Sequence, residues 1–186
     1  MPITINGSGT VTGLSAGGLP AGSVTGATLA SGVGGKILQV KNVQKDDAAS
    51  SSSGTWVNIP DLTVDATATT SGNKFWIMSD IFGSTNNQAK ARLAMDGTAI
   101  STGTTNGNRE GVGKVFDRSN NTVYGFQTTV LVAWVTINDT NSHTFTVQWR
   151  KESGGGDIYI NRSVNDGNDD SGMVASSMIT LMEVAA

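Results

Sequence analysis

The chain has 186 residues, of which 24 are Gly, 37% are hydrophobic and 15% are charged, and its net charge is −3. Gly stands well above the ~7% usual in globular chains, and together with Ser, Thr and Asn it favours short strands and many loops over helices. The 12 Lys and Arg residues are scattered, cysteine is absent and no run of 18 apolar residues occurs, which argues against a nucleic-acid partner, disulfides, thiolate chemistry and membrane insertion.

Residues 1–35 differ in composition from the rest, being small residues and isolated aliphatics in which Val11-Thr12-Gly13 recurs as Val24-Thr25-Gly26. Such a segment cannot bury enough surface alone to offset its ordering entropy. It is read as an arm, either disordered or ordered only by winding with identical copies or docking on a partner; fully extended it spans on the order of 110 Å. The N-terminus lacks a charged region followed by an apolar one, so no signal peptide is expected. The sequons at Asn6, Asn120, Asn138 and Asn161 are read as chance in an Asn/Ser/Thr-rich chain.

From Lys36 the pattern is that of β-structure, with about ten strands expected at 36–45, 54–68, 74–82, 88–95, 98–102, 112–117, 122–137, 143–151, 157–162 and 174–184. Turn signals separate them, among them Ser71-Gly72-Asn73, Asp96-Gly97 and Gly154-Gly155-Gly156. Pro60 has no N–H for a ladder, so 54–68 is either an edge strand with a bulge or two strands. Short strands at this spacing indicate a sandwich or a barrel.

The stretch 122–149 is read as a hairpin at the centre of a sandwich, its two runs joined by the turn NDTNS at 138–142. In the second run Phe145, Val147 and Trp149 alternate with polar residues, which gives one buried face and one wet face. In the first, Val130, Val132 and Trp134 occupy one side and Leu131, Ala133 and Val135 the other, which leaves no face for water. The strands at 74–82 and 174–184 are two-sided in the same way. A strand in a two-sheet sandwich has one inner face, so these outer apolar faces point to a subunit interface. Trp134 is placed in the core or that interface, where a charge would leave the protein insoluble.

Chemistry-bearing motifs are few. A P-loop ending at Lys36 needs Gly at position 30 and Ser or Thr at 37, where Ala30 and Ile37 stand. Asp166, Asn168 and Asp170 match the first ligands of a calcium loop, but Ser171 replaces its Gly and Ser177 its closing Glu, so no metal is expected. The one imidazole, His143, has no nucleophile elbow to serve and is read as a partly exposed turn residue. Asp46-Asp47 and Asp169-Asp170 sit in polar loops with nothing to raise a pKa. Neither a catalytic residue nor a cofactor is expected. Trp56, Trp76, Trp134 and Trp149 fall on strands and are read chiefly as packing, although an exposed one could stack on a sugar ring.

With the strands in place, the chain resembles the small virion fibre proteins of tailed bacteriophages, particularly those of cyanobacteria and other marine bacteria. The resemblance lies in ITINGSGTVTGLSAGGLPAGSVTGATLASG at the start, GGKILQV at 34–40, LAMDGTAI at 93–100, TVQWR and IYINRS at 146–150 and 158–163, and SMITLMEVA at 177–185. It implies an all-β chain: an antiparallel jelly-roll β-sandwich of the tumour-necrosis-factor-like type at 36–186, assembled as a homotrimer, with residues 1–35 anchoring it to other virion proteins. No enzymatic residues come with it. The function expected is structural and adhesive, in a virion, with the β domain facing a host glycan or protein. The alternatives are a capsid head fibre or decoration protein and, as a different class, a fibre-borne polysaccharide depolymerase.

If every connection reverses the chain, loops 46–53, 83–87, 103–111, 138–142 and 163–173 gather at the end far from the arm. Long polar loops at one end of a rigid sandwich are where binding usually resides. Asn106, Arg109, Asn141, Asp166, Asn168 and Asp169 are accordingly the candidate receptor-binding residues.

Overall fold

In the computed structural model, residues 36–117, 127–152, 156–165 and 174–186 are described. They form eleven strands and no helix: β1 (Ile37–Lys45), β2 (Ala49–Ser51), β3 (Val57–Thr67), β4 (Lys74–Thr85), β5 (Ala89–Met95), β6 (Thr98–Ile100), β7 (Lys114–Phe116), β8 (Gln127–Thr136), β9 (Ser142–Lys151), β10 (Ile158–Ile160) and β11 (Ser177–Val184). The expected arm lies outside the described residues, as do 122–126 of the expected seventh strand. Ten of the strands fall where the sequence pattern places them, and β2 adds one in the stretch expected to be the 46–53 loop.

Two antiparallel sheets pack face to face. One has β4 at its centre, with β8 along one edge and β11 and β10 along the other; β1 flanks β11 and β2 flanks β10. The other runs β3-β9-β5, with β6 and β7 sharing the free edge of β5. The chain passes from one sheet to the other at most connections, and the result is a jelly roll. Alternation decides the inner faces: Phe75, Ile77 and Ile81 of β4 and Leu131 and Ala133 of β8 meet Phe145, Val147 and Trp149 of β9 and Leu93 of β5. Phe75 and Phe145 touch edge to face across the sandwich, 5.5 Å between centroids.

The 122–149 stretch is not a hairpin. β8 pairs with β4, while β9 lies between β3 and β5 in the opposite sheet, so the turn after β8 carries the chain across the core. Two backbone bonds tie its start to the β3–β4 turn, Ile137 N–H to Asn73 O at 2.9 Å and Gly72 N–H to Ile137 O at 2.7 Å. Asp96-Gly97 closes β5 on β6 with both residues at positive φ (50° and 80°), as a two-residue hairpin demands. Pro60 does sit on an edge strand with a bulge. The β3–β9 register breaks between Asn58 and Thr63, Asp61 takes φ 62°, and its carboxylate lies 3.4 Å from the buried Lys45 ammonium, whose nearer partner is Asp47 at 2.7 Å.

Asn161 fastens the far corner. Fully buried at φ 59°, it donates Nδ2 to the carbonyls of Lys45 (2.7 Å) and Asp47 (3.0 Å) and accepts from Ser177 Oγ at 2.6 Å. A side chain so enclosed has no room for a glycan, which closes the sequon at this position.

Candidate functional site

The outer face of the β1-β11-β4-β8 layer is apolar across all four strands in one row and mixed in the next two. Register places Val40, Met182, Trp76 and Trp134 in one row and Asn42, Thr180, Met78 and Val132 in the next, followed by Gln44, Met178, Asp80 and Val130. Val40 and Trp134 are 55% and 54% exposed, and Trp76, Met78, Met178 and Met182 are half-buried. Trp134 therefore belongs to this face and not to the core. Set into the face is Asp80, whose Oδ1 is buried with no hydrogen-bond partner. Exposed apolar side chains grouped in a row and a buried carboxylate oxygen without a partner are both uncommon on a protein surface.

The outer face of the opposite sheet is polar and densely bonded. Trp56 precedes β3, Lys90 and Arg92 project from β5, Gln148 and Arg150 from β9, and Glu110 comes from the β6–β7 connection. Arg92 stacks on the Trp56 ring with its guanidinium carbon 4.1 Å from the centroid, and Arg150 lies 5.4 Å from it. The indole Nε1 donates to Glu110 Oε1 at 2.8 Å. Glu110 also faces Arg150 and, at 3.4 Å, Lys90, while Glu152 lies 2.5 Å from Lys90 and 3.1 Å from Arg150. Burial acts to raise the Glu110 pKa, but the Trp56, Arg150 and Lys90 donors hold it below its ordinary value. Beneath them, buried Gln148 accepts from Arg92 Nε (2.9 Å) and donates to Asn58 Oδ1 (3.0 Å). Sequence reasoning reaches only an exposed tryptophan on a sugar here and misses the cluster itself, whose members come from four segments far apart in the chain, near residues 56, 90, 110 and 150.

The candidate receptor-binding residues do not share one end. Asn106 and Arg109 exchange two 3.1 Å backbone bonds at the tip of the 101–113 loop, which folds along the flank toward the polar sheet face. Asn141 lies at the end where β1 begins, beside Asp96-Gly97, its N–H bonded to Asp139 Oδ1 at 2.8 Å. The reason is that β6 and β7 both run antiparallel to β5, hence in the same direction, so the connection between them does not reverse the chain and the later loops exchange ends. The stretches expected as loops at 46–53 and 83–87, which hold β2 and the end of β4, lie at the far end and 69–73 and 96–97 at the near one; 138–142 is near, and β9 ends at Lys151 at the far end. Asp166, Asn168 and Asp169, and with them the calcium-like triplet, lie outside the described residues. His143, expected to be a partly exposed turn residue, is partly exposed but is instead the second residue of β9, and it pairs with carboxylates on both sides, Nδ1 2.6 Å from Asp96 and Nε2 3.0 Å from Asp139.

No protein-family model and no curated protein sequence matches this chain. Among solved structures it is similar to the EclA C-terminal domain, described as a sugar-binding protein, with 14% identity and a TM-score of 0.35 over 62% of this chain and 74% of that one. It is also similar to chains of infectious bursal disease virus: the Gt strain at 13% identity and TM-score 0.40, covering 80% of this chain and 38% of that, and the Gx strain at 12%, 0.37, 80% and 37%. The chain thus spans under two fifths of the length of either viral chain.

Proposed function

We propose that this chain is a structural virion protein, a homotrimeric phage fibre whose residues 1–35 attach to the particle and whose jelly roll contacts the host surface. The observation that carries the reading is the apolar outer face centred on Trp76, Met78, Val132 and Trp134, which a second and third copy would cover. The partner assigned to it is another copy because the face is a broad, regular sheet surface with one acidic group, Asp80, for which a neighbouring copy can supply the missing donor. The number three and the virion location come from the resemblance to phage fibre proteins carried by segments along the whole chain, from ITINGSGTVTGLSAGGLPAGSVTGATLASG to SMITLMEVA. The role is adhesive, with no enzymatic step assigned.

Deletion of residues 1–35 tests the division of labour. The truncated protein is expected to remain a soluble oligomer and to be missing from purified particles assembled with it. Incorporation of the truncated chain, or failure of the remainder to fold, contradicts the reading. Labelled imaging of particles bearing the full chain separates a tail position from a capsid head fibre or decoration protein, the second reading of the same arm and trimer.

A further inference from the structure

The apolar face, on the reading above, is covered in the trimer, which leaves the opposite face of each jelly roll toward solvent. There one cation is held unlike the others. Arg92 is fixed in its plane twice, by stacking at 4.1 Å on Trp56 and by the Nε bond to buried Gln148. Gln148 is in turn held by Asn58, which also accepts from Thr146 Oγ1 at 3.4 Å. Lys90 and Arg150 are each paired with Glu110 and Glu152. The terminal Nη nitrogens of Arg92 have no hydrogen-bond partner among the described residues. Three cations against two carboxylates leave one positive charge, and it resides on a guanidinium whose free edge is already oriented.

We propose that this face is a binding site for an acidic saccharide, with the Nη edge of Arg92 taking the sugar's carboxylate. A guanidinium fork matches a carboxylate in a bidentate, charge-assisted pair, and an edge held by stacking loses little entropy on binding. Hydrogen-bond acceptors beside the guanidinium suit a polyhydroxyl ligand. Glu110, Glu152 and Asn58 place further acceptor oxygens in the same cluster, groups to which sugar hydroxyls can donate. In choosing a saccharide, the proposal rests on the host-contact reading above.

The test is titration of the full-length protein with a glucuronic acid–glucose disaccharide, using the glucose–glucose disaccharide, sodium sulfate and an acetylated aspartyl peptide as comparisons, followed by calorimetry or amide NMR shifts. Saturable binding of the acidic disaccharide is expected, weakened by added salt and at least about 10-fold tighter than that of the neutral one, as loss of a charge-assisted pair implies. Arg92→Gln and Arg92→Lys are each expected to reduce it by about 10-fold or more, Lys because it keeps the charge and loses the fork. Equal binding of the neutral sugar, equal binding by Arg92→Gln, binding of sulfate or peptide as tight as that of the acidic sugar, or no saturable binding at millimolar ligand overturns the proposal. Light scattering on the same samples keeps the two readings apart. Binding by a monomer retains this site and contradicts the fibre; a trimer that does not bind does the reverse.

Discussion

His143 shows how one side chain sets a local pH response. Its Nδ1 faces Asp96 and its Nε2 faces Asp139, so the imidazolium can donate on both sides. The Asp96 carboxylate, reinforced by Asp139, raises the His143 pKa above its ordinary 6.5 against the opposing effect of burial. Asp96 is lowered chiefly by His143, and Asp139 by the Asn141 N–H and then by His143. A raised imidazole contributes stability that is complete below its unfolded value and is lost as pH climbs through the folded one. The lowered carboxylates contribute above their ordinary 3.8 and lose it as pH falls. The trio is therefore most stabilising between about pH 4 and 6.5. The thermal midpoint of the wild type is expected to exceed that of His143→Gln by more at pH 5.5 than at pH 8.5; a difference that does not change with pH contradicts the assignment.

Among the elements, the 101–113 loop is the one that builds the polar face, and its shape depends on glycine. Gly103 N–H bonds Val112 O at 3.3 Å, and a Cβ on Gly111 would lie 1.7 Å from Gly103 O. An alanine there must part the two limbs, displacing the one that delivers Glu110 to Trp56, Lys90 and Arg150. Gly111→Ala is expected to destabilise the protein by about 1–3 kcal/mol, the scale of overpacking substitutions, as read by chemical denaturation. A variant as stable as wild type would mean that the limbs separate freely. Elements of this kind also mark how far the sequence could be read. Asp96-Gly97 and Pro60 were legible because a two-residue hairpin requires positive φ and a ladder requires N–H donors, and both requirements act locally. Alternation in Thr144–Trp149 shows which side carries the core residues but not that Thr146 and Gln148 on the expected wet side are buried as well, nor which strand lies alongside, so the pattern points to a hairpin that β8 and β9 do not form. The end assignment of Asn141 failed on one non-reversing connection between β6 and β7. Trp56, Arg92, Glu110 and Arg150 come from four separate segments, and only the topology brings them together.

At the scale of the whole molecule, the two outer faces of the sandwich are chemically opposite. One carries Val40, Met182, Trp76 and Trp134 in a row across four strands; the other carries interlocked ion pairs around Trp56. That asymmetry is what an oligomer requires, with one face to bury and one to leave in water. Trp134 is exposed in the single chain and contributes nothing to its core, so Trp134→Asp is expected to leave a folded, soluble monomer, in place of the insoluble protein that the sequence alone suggested. The most direct test is the molar mass of the full-length protein by light scattering at micromolar concentration. The wild type is expected at three times the 19.2 kDa chain mass and Trp134→Asp at a single chain mass. A wild-type protein of 19.2 kDa would contradict the trimer.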